Sequence, residues 1–202
     1  MNLFGGELPC EVKINDKTYP FSTDFYDWMR FETLMLDEDV PAAIKNDIAV
    51  KMLFGEIPPA DVSRFLLWFW RCGAEKRTVT AEGFRKRSAS PFKRSKHDKN
   101  VYSFEYDEPL IFAAFYQQYG IDLTSVKMHW WKFKALFDAL TEETKFVKVM
   151  GYRSMDLKDS KMPADRLKHY KNLQEIYKLP RSLSEQQKLD RMRRSLEAVK
   201  NA

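Results

Sequence analysis

The side chains able to do chemistry in this chain stand apart from one another. His97, His129 and His169 have no second histidine or cysteine at the short spacings that hold a metal ion. His129 flanks an apolar stripe and reads as a satisfied core histidine rather than a ligand. Ser90-Pro-Phe-Lys93 spells an SxxK pattern, but among 34 basic residues such a match arises by chance. There is no glycine-rich phosphate loop, no GxGxxG and no GxSxG. Carboxylate pairs such as Asp37/Asp39 and Glu142/Glu143 fall at expected helix ends, where they meet the helix dipole or solvent. The expectation is a non-enzymatic protein with no cofactor and no metal. Cys10 and Cys72 make no disulfide framework, and the cytosol is the expected compartment.

Charge is the second feature with chemical content. Residues 75–100 hold nine Lys/Arg against three Asp/Glu, while the rest of the chain holds 25 against 26. One segment therefore owns the net charge of +5. Arg85, Lys86, Arg87, Lys93 and Arg94, with Phe84 and Phe92 between them, have the composition to grip a phosphate backbone while rings stack on bases. The simpler reading is a solvated linker kept extended by its own charge, and it is favoured because nucleic-acid modules mount such residues on regular elements.

Aromatic content is the third. Five tryptophans and fifteen phenylalanines exceed what a helical core of this size needs. In "SVKMHWWKFKALFDAL", residues 125–140, Val126, Trp130, Phe133, Phe137 and Leu140 recur at the 4-3-4-3 spacing of a buried helical stripe. Adjacent residues point about 100° apart on a helix, so Trp131 falls on the other face, among Lys127, Lys134 and Asp138. That placement predicts a partly exposed tryptophan. Trp131, Lys127 and Lys134 are accordingly candidate protein-binding residues, because tryptophan is a common interface anchor. Leu189, Met192, Leu196 and Val199 form a single apolar stripe in the tail and give a second candidate surface, for self-association or for a partner.

The elements that position these residues are mainly helical. Seven glycines in 202 residues are few for a strand-and-turn architecture. Residues 11–21 alternate as a short hairpin about Asn15-Asp16, which must pack on something to be stable. Ser22 or Thr23 caps a first helix, Pro41 opens a second with Ile44, Ile48 and Met52 at intervals of four, and "IPPADVSRFLLWFWRCG" gives a third. Helices follow over 106–120, 125–140 and from a cap at Thr141 or Thr144, with two more in the tail; Ser182-x-x-Glu185 is a capping box for the last. The run "FLLWFW" at 65–70 is far shorter than a membrane span of about 20 residues, and the N-terminus lacks a signal-peptide pattern. The expected fold is thus mainly α, a helical bundle with a short N-terminal β-hairpin and a C-terminal helical extension. The expected organisation is 1–74 as a hairpin plus helical module, 75–100 as a basic flexible linker, 101–153 as a second helical module and 154–202 as a helical tail.

"EPLIFAAFYQQYGIDLTSVKMHWWKFKALFDALTEETKFVKVMGYR", residues 108–153, resembles the gene-product-fifteen family of tailed phages infecting Gram-positive bacteria. The acidic helix start, the "YGIDL" turn, the "HWW-x-F" helix and the "T-x-F-x-x-V-x-x-Y-R" close carry the resemblance. It implies a tail assembly chaperone, encoded between the major tail protein and the tape measure. Such a protein would bind the tape measure protein, keep it soluble and help recruit tail tube subunits in the host cytoplasm without entering the virion. No catalytic or binding residue carries over from the family. A nucleic-acid-binding module using 75–100, or a structural tail or connector component of the virion, are the alternatives.

Overall fold

A computed structural model describes residues 3, 7–37, 39–55, 58, 61–74, 101–157 and 162–180. Among these residues the protein is mainly α-helical, with one two-stranded sheet. Strands β1 (Glu11–Ile14) and β2 (Lys17–Pro20) pair antiparallel, with Val12 opposite Tyr19. Asn15 and Asp16 both have positive φ (48° and 63°), the two-residue hairpin geometry that Asn and Asp tolerate best. The hairpin does pack on the helices. Phe21 just beyond it bridges to Phe54, and its ring meets Trp28, Phe65 and Phe69 at 4.8–6.4 Å.

Helix α1 (Phe25–Leu36) is capped by Asp24, whose carboxylate accepts the Tyr26 N–H at 2.9 Å. The cap thus lies one residue beyond the expected Ser22 or Thr23; Ser22 instead donates its hydroxyl to Asp27 at 2.5 Å. Helix α2 (Ala42–Leu53) follows Pro41. Its buried residues are Ala49, Val50 and Leu53, whereas Ile44 and Ile48 of the expected stripe face solvent. Helix α3 (Ser63–Trp70) is capped at Arg71 and followed by two residues of positive φ, Cys72 (56°) and Gly73 (74°). A Cβ at Gly73 would lie 3.0 Å from the Trp131 ring, so glycine serves both the backbone turn and the close approach.

Beyond the basic segment, α4 (Glu108–Tyr119) stops at Gly120, whose left-handed conformation lets the Gly120 and Ile121 amides close on the Tyr116 and Phe115 carbonyls. Helix α5 (Trp130–Asp138) starts five residues later than the wheel supposed, with His129 as its N-cap. Thr144 caps α6 (Lys145–Ser154) by accepting the Val147 N–H. Helix α7 (Ala164–Ile176) has no buried residue. Gln174 donates from Nε2 to the Tyr152 and Met155 carbonyls, and the Tyr152 ring meets Tyr170 and Tyr177. Polar contacts hold α7 where core burial does not. The expected final helix after Ser182 lies outside the described residues.

Residues 1–74 and 101–153, expected as two helical modules, contribute to one hydrophobic core. Phe133 of α5 is stacked between Phe25 of α1 and Phe115 of α4, at 4.9 and 5.0 Å. Two polar knots join the same parts. Buried Glu32 accepts from the Trp70 indole N–H (2.8 Å) on one oxygen and from the Tyr102 hydroxyl (2.7 Å) on the other. Arg153 grips Asp107 with two nitrogens at 2.6 and 2.9 Å, and also donates to the carbonyls of Val101 and Tyr177. A planar guanidinium is suited to such forked pairing.

Candidate functional site

The exposure expected of Trp131 is corrected by its surroundings. It is 6% exposed, and its indole donates to the Phe69 carbonyl at 2.8 Å. Trp130 next to it donates to the Trp70 carbonyl at 2.9 Å. The two adjacent indoles thus satisfy two adjacent carbonyls at the C-terminal end of α3, where a helix runs out of its own donors. Trp131 stands in the first turn of α5, against Trp68, Phe69 and Gly73. Lys134 pairs with Asp138 and lies 5.2 Å from the Phe137 ring centre. Lys127 precedes α5 altogether, so of the charged face drawn around Trp131 only Lys134 and Asp138 lie on the helix. The Trp131 indole is taken up by this chain's own core rather than left at the surface. Leu189, Met192, Leu196, Arg85, Lys86, Arg87, Lys93 and Arg94 lie outside the described residues.

Lys127 has a different setting. With the first turn of α1, the first turn of α4 and the loop 121–128 it lines an open groove of about 390 Å³. Phe25, Met29 and Ile111, all buried, form its floor; Tyr26, Phe112, Leu123 and Val126 form its walls. Asp24, Glu108 and Lys127 supply its charges. The Tyr26 ring is 56% exposed, and Phe112 stacks on Tyr116, which is 60% exposed, carrying the aromatic surface further along α4.

Local structure fixes this shape. The Phe25 N–H donates to the Met128 carbonyl (2.9 Å) and the Trp130 N–H to the Thr23 carbonyl (2.7 Å), an antiparallel bridge tying the start of α1 to the start of α5. The loop is held by Asp122, which accepts the Thr124 hydroxyl and N–H at 2.6 and 2.9 Å; those bonds, the hydroxyl first, keep its carboxyl below its ordinary pKa of 3.8. His129 closes the arrangement. Its Nδ1 accepts the Trp131 N–H at 3.1 Å, which leaves the proton on Nε2, 3.1 Å from the Pro9 carbonyl. Burial lowers its pKa from 6.5, Pro9 acts weakly the other way, and Lys132 lowers it further. Both ring nitrogens are satisfied, as a structural histidine requires.

Among the described residues no group of three or more His, Cys, Asp or Glu side chains could hold a metal ion, and no helix is long and apolar enough to cross a membrane. The groove offers shape, aromatic surface and the charges of Asp24, Glu108 and Lys127, the ingredients of binding. Asp24, Tyr26, Glu108, Phe112, Leu123 and Thr124 are the lining residues that the sequence reading missed. The available signal was the second aromatic row of α4, Phe112 and Tyr116, one residue off the core row of Ile111, Phe115 and Tyr119.

Comparison with curated proteins finds no match, and neither does comparison with solved structures. A family model described as "Bacteriophage Gp15 protein" matches residues 4–179, a span that includes every helix described above. The chain belongs to the bacteriophage Gp15 protein family.

Proposed function

We propose that this chain, a phage structural or assembly-related protein by its family, is a tail assembly chaperone of a long-tailed phage. In this reading it binds the tape measure protein, keeps it soluble and helps bring tail tube subunits to it. It acts in the host cytoplasm, carries out no catalysis, and is left out of the finished particle. The observation that supports this is an open, aromatic-lined groove on a body whose other large aromatics are mostly committed to its core. A holdase needs such a surface, because it acts by binding apolar segments of its client more tightly than the client binds itself.

Co-expression with the tape measure protein of the same phage tests the reading. The expected result is a soluble tape measure protein that copurifies with this chain. A tape measure protein that stays insoluble and unbound would reject it. Recovery of this chain from purified particles would point instead to a structural tail component, and salt-sensitive DNA binding to the nucleic-acid alternative.

A further inference from the structure

We infer that the outer edge of β1 is a self-association surface, at which a second copy of this chain adds its own β1 antiparallel to form a four-stranded sheet. Such a pairing needs neither the chaperone reading nor the groove.

In an antiparallel pair, residues that bond across the ladder alternate with residues whose N–H and carbonyl point away from it. The Phe21 N–H donates to the Cys10 carbonyl at 3.3 Å, so Cys10 faces β2, and with it Val12 and Ile14, opposite Tyr19 and Lys17. Glu11 and Lys13, opposite Pro20 and Thr18, therefore turn their backbone groups outward. Among the described residues no strand pairs with that side, and neither residue's N–H or carbonyl has a hydrogen-bond partner. The opposite edge is less receptive, because Pro20, at one of its outward positions, has no N–H to offer. β1 is also held in shape before any partner arrives. Its turn closes one end, and at the other the Pro9 carbonyl lies 3.1 Å from His129 Nε2.

Side chains choose the partner and the register. An outward residue bonds only to an outward residue, so Glu11 and Lys13 of one copy meet Glu11 or Lys13 of the other. Centring the pair on Glu11 or on Lys13 sets like charges directly opposite, which destabilises a sheet. Centring it on Val12 sets Glu11 opposite the other copy's Lys13, and two-fold symmetry repeats the pair. Glu11 and Lys13 share the exposed face of β1, while Val12 and Ile14 lie half-buried against the core on the other face. The two Val12 side chains then meet on the axis. Lys13 must give up Asp16, 3.2 Å away, but those side chains are 68% and 96% exposed and their pairing holds little. A lysine on an edge guards against indiscriminate pairing, and Glu11 two residues away answers it in one register. The two outward pairs exchange about four backbone hydrogen bonds, far less than a permanent interface, so the association is reversible.

Charge reversal tests both the surface and the register. Full-length protein is followed by sedimentation equilibrium up to about 1 mM, where even millimolar affinities register. Wild-type protein should show a reversible monomer–dimer equilibrium. Glu11→Lys and Lys13→Glu should each weaken it by about tenfold, since each turns both cross-strand pairs from opposite to like charges. The double variant Glu11→Lys/Lys13→Glu should return the affinity to within about threefold of wild type. An equimolar mixture of the two single variants should form a heterodimer of about the same strength, because every Lys then faces a Glu. Recovery on adding a second reversal, or on mixing, cannot come from misfolding. A dimer whose affinity ignores the reversals, or single variants that neither the double variant nor mixing restores, would overturn the inference. So would wild-type protein that stays monomeric at about 1 mM, which would leave the edge to a strand of another protein.

Discussion

Trp131→Ala should be nearly as damaging as Trp130→Ala. The ring is buried against Trp68, Phe69 and His129, at centroid distances of 5.5–5.9 Å, and its edge lies beside Gly73. Removing a buried tryptophan costs about 3–5 kcal/mol in transfer and cavity terms. The lost indole bond is only about 1 kcal/mol of that range, because the Phe69 carbonyl still accepts the Cys72 N–H at 2.9 Å and is not orphaned. A total near 4 kcal/mol is a large part of the roughly 5–15 kcal/mol that holds a domain together. For a chain of this length it lowers Tm by about 8–16 °C. Trp131→Phe keeps a ring in place and loses the bond, so about 1–2 kcal/mol is expected. Urea unfolding followed by far-UV circular dichroism reads both, through the midpoint at constant slope. A Trp131→Ala midpoint within about 0.5 kcal/mol of wild type, beside a collapsed Trp130→Ala, would refute the packing described here.

Three further outcomes are expected. His129 is neutral and accepts a helix N–H, and burial holds its folded pKa below the 6.5 of the free imidazole. The unfolded chain therefore binds the proton more readily, and stability is complete above about pH 6.5 and falls as pH drops from there towards the folded value. The urea midpoint should follow that course, and His129→Ser, which keeps an N-cap without titrating near neutrality, should flatten it. Arg153→Ala should cost about 3–5 kcal/mol in the same assay, since it leaves Asp107, whose side chain is 2% exposed, as a buried uncompensated charge. Burial pushes the Cys72 thiol up to about 11, while Cys10 is exposed, so a thiol reagent at pH 8 should titrate one cysteine quickly and the second only in denaturant.

Helix caps and turns were legible in the sequence where the determinant is local. Asn15-Asp16, Pro41, Gly73, Gly120 and Thr144 each stand at the end or turn they mark. The α2 stripe and the face of Trp131 were not legible, for one reason. Periodicity tells which residues share a face; it does not tell which face meets a neighbour. In α2 the smaller row of Ala49 and Val50 is the one packed, and Ile44 and Ile48 are left outside. In α5 the helix begins at Trp130, which removes Val126 and Lys127 from the wheel, and the C-terminal end of α3 reaches only its first turn. The groove depends on three segments distant in sequence, and of its lining only Lys127 was a candidate binding residue beforehand.

Glu32 has a consequence for how this protein tolerates change in length. Trp70 precedes the basic segment and Tyr102 follows it, and the two end on the two oxygens of one buried carboxylate. The described stretches on either side of residues 75–100 are therefore fastened at a single seam. The entropy of closing a loop grows only with the logarithm of its length, about 0.6 kcal/mol for each doubling. At the seam itself, a change in the number of residues between Ala74 and Val101 is therefore expected to cost little, and Glu32 is the fixed point against which such a change is measured.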